Sequence, residues 1–529
     1  MKAAATPAPE SINKCADTAF AFITLFLGYA LARTAIFCEP GVGVTLYALI
    51  FVFAAGLYMR LNGVVISPST VVPPAIMLVF SAVFVISGMQ WVRLLTLVFE
   101  VMVAVYWFLA AFGCRAEDRL GDYLPFDLVK AFFVQPFASF FEQPKTAAGA
   151  LKSTKTGRNI FYVIVGLALA AVPAAVITVT LMASDDAFES LINTLFNAFL
   201  SSVWLNILYF MFGLPIAMYL FGMMTSASSR KCKKILTAEQ CGRFLRTAGF
   251  VPPAVIYTAL SVILVIYALF FVSQSSYFLS AFASLLPEGY TFADYARRGF
   301  FELCRVATIN ALLVLCAEIF IKREPADGAE AGKANRPLGL RVLNVLMGAS
   351  TLVLFAVAGA KLYLYIENYG LTPARVSAAW IMLLLAFMFV FLIVRQIAPK
   401  FNFWRASTVA FVVLFAALSF SNFDTLIAKY NIARFYDGSL QAVDVYLFGA
   451  LSDAALPELA ELLERDEASG GQLLEYEARL WATEHLQNRL WNAEGKRSAA
   501  GGSITDRINY LLGYNASRRT ALRLVDAGK

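Results

Sequence analysis

One histidine, His485, serves a chain of 529 residues. That scarcity excludes His-based catalysis, haem ligation and histidine-rich metal sites. The seven cysteines form no CxxC pair and none lies beyond Cys316, so neither a disulfide framework nor a zinc ribbon is expected. No GxxxxGK[ST] loop occurs, which argues against nucleotide hydrolysis by this chain. Charge is scarce as well: 15% of residues are charged and 60% are hydrophobic, a balance that points to lipid rather than water as the main solvent.

What the chain has in quantity is apolar runs. Segments at about 17–37, 42–59, 71–88, 91–113, 159–183, 199–223, 250–272, 299–321, 341–365, 374–396 and 403–421 are each long enough to cross a hydrocarbon layer of about 30 Å. Forty-six phenylalanines suit lipid-facing surfaces. The expected fold class is all-α: a polytopic bundle of about eleven transmembrane helices with a small helical extramembrane C-terminal domain. Its parts are a first bundle of about eight spans (1–321), a linker (322–340), a second bundle of about three spans (341–421) and the tail (422–529). The first span resembles a signal peptide around Ala30-Leu31-Ala32, but its length and the span that follows favour an uncleaved helix.

Loop charge sets the orientation. Arg60, seven basic residues in 113–158, six in 224–249, five in 322–341, and Arg395, Lys400 and Arg405 alternate with loops poor in Lys and Arg. The positive-inside rule puts the basic loops and the N-terminus in the cytoplasm, and an odd count puts the tail outside. The same rule accounts for the basic excess, so no nucleic-acid partner is expected. The segment 123–141, apolar and aromatic but broken by Pro125 and Pro136, reads as interfacial, and 322–337 as a flexible linker. Pro173, and Gly213 with Pro215, are expected to kink their helices.

The tail changes character. It holds 12 basic and 15 acidic residues, a net −3 against +10 for the remainder. Helical spacing recurs in LQAVDVYLFGAL, LPELAELLERD and GQLLEYEARLWATEHLQNRLW, followed by two shorter candidates after the 498–503 break. His485 and the acidic run Glu458, Glu461, Glu464, Asp466 and Glu467 read as the wet face of these helices.

Ionisable residues inside spans require partners or cavities. Glu100, about 13 Å into the fourth span at the helical rise, is the leading intramembrane candidate for a proton or cation site. Asp294, Arg298, Glu302 and Arg305 share one helical face with alternating sign. Arg33 and Lys361 lie near outer span ends, where snorkelling explains them. Asp185, Asp186 and Glu189 form an external acidic group that reads as a solvated loop. No catalytic residue, metal ligand or cofactor is assigned.

Three stretches, FADYARRGFFEL (292–303), NFDTLIAKYNIARF (422–435) and DVYLFGALSDAALPELAELLE (444–464), with a closing LGYNASRR (512–519), occur in order. The set resembles a family of bacterial multi-pass membrane proteins labelled domain of unknown function 4173, related to 4153. The resemblance singles out Tyr295, Ala296, Arg297, Gly299 and Phe300, then Asn422, Asp424, Asn431 and Arg434, and implies a bacterial cytoplasmic membrane without assigning an activity. A contact between Asp424 and Arg297 or Arg298 is expected to dock the tail on the eighth span. Transport or handling of a small solute or lipid is the leading functional reading. An envelope sensor or scaffold recruiting a protein through 422–529, and a membrane enzyme, are the competitors. Beyond the lipid bilayer, the sequence fixes no partner and no oligomeric state.

Overall fold

The computed structural model describes residues 14–117, 120–153, 155–195, 201–229, 235–282, 292–322, 337–499 and 504–527. The expected linker at 322–340 falls largely outside them, at 323–336. Ten helices among the described residues are long and apolar enough to cross a membrane. They are α1 (Lys14–Leu31, continued by a π-helical turn Ala32–Phe37), α2 (Val42–Leu61), α3 (Pro68–Ser81, continued by Val83–Ile86), α4 (Gln90–Ala111), α6 (Ser201–Ser228), α7 (Pro253–Phe282), α8 (Phe292–Phe320), α9 (Leu338–Tyr369), α10 (Pro373–Ile397) and α11 (Phe403–Phe420). Between α4 and α6 lies α5 (Lys155–Met182), 28 residues long and uncharged from Ile160 to Met182. The protein is therefore an all-helical polytopic membrane bundle.

Local chemistry sets several boundaries. Thr372 caps α10 by accepting the Arg375 N–H at 3.3 Å, with Pro373 at the first helical position, where its missing donor is harmless. Asn402 caps α11 through the Arg405 N–H at 3.0 Å. The tail follows as α12 (Phe423–Tyr436), α13 (Leu456–Ala468), α14 (Tyr476–Ala499), α15 (Ile504–Leu512) and α16 (Ala516–Ala527).

The bundle has two distinct ends. At one, Tyr58 donates to Asp17 at 2.8 Å and sits 2.9 Å from Ser228, Arg395 pairs with Asp122 at 2.6 Å, and Arg341 donates to the Gln396 carbonyl at 2.8 Å. At the other, the Val42 N–H donates to the Tyr514 carbonyl at 3.0 Å, and Lys496 pairs with Glu39 at 2.6 Å. Asp17 of α1 therefore lies at the first end, and the tail lies at the second. The chain is at the first end at Gln143, which donates to the Ala21 carbonyl at 3.0 Å, and at the second at Asn206, bonded to Tyr29. Between these two points lies α5.

The segment after Tyr123 is a broken helix (Leu124–Val129, Lys130–Val134, Gln135–Phe137) packed against the lower half of α6. Hydrogen bonds tie it to its neighbours: Lys130 donates to the Cys114 carbonyl at 2.7 Å, Gln135 to the Met223 carbonyl at 3.0 Å, and Ser226 to the Gln135 carbonyl at 2.6 Å. Such bonds let irregular backbone sit beside a membrane helix.

Tail and membrane helices share one core. Phe80, Val92, Phe99, Phe415 and Leu418 from the bundle pack in a single cluster with Ile427, Ile432, Phe448, Leu459 and Leu462 from the tail. Elsewhere α1 and α6 cross at glycines. A Cβ on Gly28 would collide with the Gly213 carbonyl, and one on Gly213 would lie 2.7 Å from the backbone of Gly28 and Tyr29. Small residues let these helices approach, and without a hydrophobic drive in lipid that packing holds the pair together. Gly213→Val should therefore lower the thermal midpoint of the detergent-purified protein sharply, whereas Gly56→Ala, which meets nothing within 4 Å, should not. Equal midpoints for both variants would contradict the crossing.

Candidate functional site

Beneath the tail lies a polar chamber of about 1050 Å³. Arg93, 7% exposed at the start of α4, turns up into it and donates to the carbonyls of Ser87 at 2.7 Å and Pro40 at 3.1 Å, joining two loops. Glu39 bonds Lys496 and Arg518, tying the α1–α2 loop to the end of the tail. Arg489 faces Asp453 at 3.2 Å, and buried Asp424 accepts the Ser452 N–H at 3.1 Å. Acidic and basic groups thus converge here, yet most are spent on one another. Burial raises the Glu39 carboxyl, but the bonds and charges of Lys496 and Arg518 outweigh it and hold the group below its ordinary 4.5. Burial pushes Asp424 above its usual range, partly offset by Ser452 and by Arg489 and Arg93.

Directly below lies a second cavity of about 530 Å³, walled almost wholly by apolar side chains of α1 to α4 and α6, with Phe137 and Phe140 contributed by the broken segment. Leu97 lines both spaces, so the two adjoin there. Arg93, Leu97 and Glu100 follow at spacings of four and three on one face of α4. Glu100 is the single charged side chain lining the lower cavity. It is 6% exposed, and its Oε1 has no hydrogen-bond partner, the only carboxylate oxygen so left among the described residues. Burying a polar atom without a partner costs roughly 2–7 kcal/mol, so this carboxyl stands where packing alone does not favour it.

The other charges expected in spans are engaged. Arg33 donates to Asn509 of α15 at 2.9 Å and reaches Tyr29 at 3.5 Å, which joins α1 to the tail rather than to headgroups. Glu302 and Arg305 lie 3.8 Å apart on an exposed face, and Glu302 is the carboxylate whose charge acts on Lys361 of α9. The side chains of Asp294, Tyr295, Arg297, Arg298 and Gly299 lie outside the described residues, although the backbone is helical from Phe292.

The family-like residues of the tail form an anchor. Asn431 accepts from the Leu371 N–H at 2.7 Å and donates to its carbonyl at 2.8 Å, while Arg434 pairs with Glu367 at 2.9 Å. Gly370, at φ +74°, is required twice, since a Cβ would strain the backbone and strike Asn431. Asn422 bonds Thr425 at 2.8 Å. Asp424 accepts from Ser452, and the expected contact with Arg297 or Arg298 lies outside the described side chains; the polar contacts of Asn431 and Arg434 tie α12 to the α9–α10 loop and to the end of α9.

Two readings of polar residues change. Asp466 is not on a wet face: it is fully buried, accepts the N–H groups of Leu473 and Leu474 at 2.9 Å each, and pairs with Arg479, closing the turn between α13 and α14. A carboxylate with two backbone donors and a guanidinium can be buried without penalty of an unpaired charge. His485 is partly buried with its ring stacked on Trp481 at 4.7 Å, and burial lowers its pKa. Asp185, Asp186 and Glu189 are exposed, and no group of three His, Cys, Asp or Glu able to hold a metal occurs among the described residues.

Sequence reasoning missed three features. Arg93 reads as a span-edge cation until its carbonyl partners are seen. Glu318 accepts from Asn344 at 3.0 Å and Gln396 at 2.9 Å, joining α8, α9 and α10. Asn310 bonds Tyr267 at 2.5 Å and Thr351 at 2.8 Å within the second bundle. Only the presence of Asn and Glu inside apolar runs signalled the last two.

Because the folded pKa of Glu39 is depressed, its pairs stabilise the fold above about 4.5 and weaken as pH falls through the lower folded value. Glu39→Gln should cost up to about 1 kcal/mol near neutral pH, discounted for its half-exposed position. The difference in thermal midpoint between wild type and variant should shrink below pH 4.5. A constant difference across that range would refute the clamp.

Neither curated proteins nor solved structures yield a match to this chain. A family model described as a domain of unknown function, DUF4153, matches residues 75–462, from α3 through α13, which includes the anchor, Leu97 and Glu100. That stretch is well over half of the chain, and the protein therefore belongs to the DUF4153 family.

Proposed function

We propose that the protein handles a small amphiphilic solute or a lipid, passing it between the chamber under the tail and the cavity at mid-membrane. The observation that carries this reading is the shared wall at Leu97, a partly buried side chain that borders both a polar space at the bundle end and an apolar space holding Glu100. Pockets of a few hundred Å³ lined by apolar groups with few polar ones are the usual form of small-molecule sites. Pro215 lies in the cavity wall, so the weak point of α6 is where a passing molecule would need helices to give.

The reading includes a bacterial cytoplasmic membrane crossed eleven times, with α5 as the fifth crossing, the N-terminus inside and the tail outside. Support comes from the basic loops gathered at the end opposite the tail and from the contacts that put Asp17 and the tail at opposite ends of the bundle. The closing LGYNASRR, beyond the matched residues 75–462, supports kinship with the 4173 group.

A second reading has one observation in its favour. Tyr476, Leu480 and Trp491 share a face of α14 and are exposed at 74%, 49% and 73%, an apolar stripe suited to an envelope protein partner. It is compatible with the first, since it uses the opposite surface of the tail.

A neutral alkyl alcohol bearing a diazirine, photoactivated in native membranes, tests the route. Covalent label on Tyr47 and Glu100, reduced at least about tenfold by Leu97→Trp, is expected. Label confined to lipid-exposed side chains such as Phe53 and Val98, or unaffected by Leu97→Trp, would overturn it.

A further inference from the structure

We infer that the mid-membrane cavity is a site for a lipophilic monovalent cation, which Glu100 neutralises in exchange for a proton. This rests on the reading of the cavity as a ligand space and adds the class of ligand. Three independent features of the lining agree. The carboxyl of Glu100 is 94% buried, its complement being 6% exposed, and one oxygen is unpartnered, so an acceptor is available that the protein itself leaves empty. No Lys or Arg lines the space, so nothing in the wall competes with an incoming cation. Aromatic rings make up the rest of the recognition: Tyr47 and Phe51 stack at 6.1 Å, Phe137 and Phe140 at 5.4 Å, and Tyr219 meets Phe137 edge-on at 6.1 Å. Ring faces attract cations, and more strongly where water is excluded. An anionic ligand would find no cation in this wall, and a neutral hydrocarbon would leave Glu100 as it is.

Charge balance fixes the exchange. A carboxylate alone in an apolar cavity is costly, so the empty site holds the neutral acid. When a cation enters, the O–H bond breaks, the electron pair stays on the carboxylate, and the proton leaves to water, so the cavity carries no net charge before or after. The titratable and charged groups that face the site are few. The phenols of Tyr47 on α2 and Tyr219 on α6 line it, while α1, α3 and the broken segment present only apolar side chains. Arg93 lies two turns away on α4, toward the chamber, its guanidinium held by two carbonyls.

Tetraphenylphosphonium is the probe, used on the full chain in native membranes as a competitor of the alkyl diazirine. It should displace the label from wild type with an affinity that rises with pH, about tenfold per unit while one proton is released per cation bound. Glu100→Gln should keep the diazirine label on Tyr47, which shows an intact cavity, and lose displacement by at least about tenfold. Glu100→Asp should restore it in part. Displacement that is equal in Glu100→Gln, or independent of pH, or absent from wild type, would overturn the cation site. If the diazirine fails to label the cavity at all, the ligand space itself is refuted, a different failure from the loss of cation selectivity.

Discussion

Polar groups carried into hydrocarbon must find partners within the chain, because no water is there to supply them. Several such groups in this bundle do so across its helices. Asn310 is shared between Tyr267 and Thr351, Glu318 takes donors from Asn344 and Gln396, and Lys130 reaches the Cys114 carbonyl. Each of these pairings joins helices or segments distant in sequence, so satisfying the polar groups also fixes the packing. Glu100 departs from the pattern within a cavity, not within a packed interface, and that combination separates a candidate site from a structural carboxylate.

The tail follows from the same demand at the bundle end. Arg93 finds its partners in the carbonyls of Pro40 and Ser87, and at Gly88 the second of these loops packs against Ser452 and Ser517 of the tail. The shared apolar cluster and the anchor of Asn431 and Arg434 on the α9–α10 loop then hold the tail against the membrane helices. The chamber is a consequence: a helical layer supported at Glu39, Leu371 and the end of α11 leaves a polar space over α4. Tail, chamber and cavity form one column along the Arg93, Leu97, Glu100 face.

The spans were legible because hydrocarbon length and lack of charge are properties of short windows. Glu100 was legible for the same reason, as a charge at the centre of one. What the linear pattern could not carry was pairing across distance. Asp466 looked like one more acid on a polar helix face, because the backbone donors of Leu473 and Leu474 exist only once the following turn closes. The family-like Asn431 and Arg434 stood out without a role, since their partners at Leu371 and Glu367 lie some sixty residues away. Leu97 had no signal at all, being one leucine among many until two cavities met at it. For the charged stripe leading into α8, only Glu302 and Arg305 are placed by their side chains.

The account turns on the state of one carboxyl in a space without a countercharge. Infrared difference spectroscopy between the purified wild type and Glu100→Gln, both without ligand at neutral pH, reads that state through the carbonyl stretch of a protonated acid. Wild type should show this band, and the variant should lack it. A carboxylate band in its place, or no difference between the two proteins in the protonated-acid region, would contradict it.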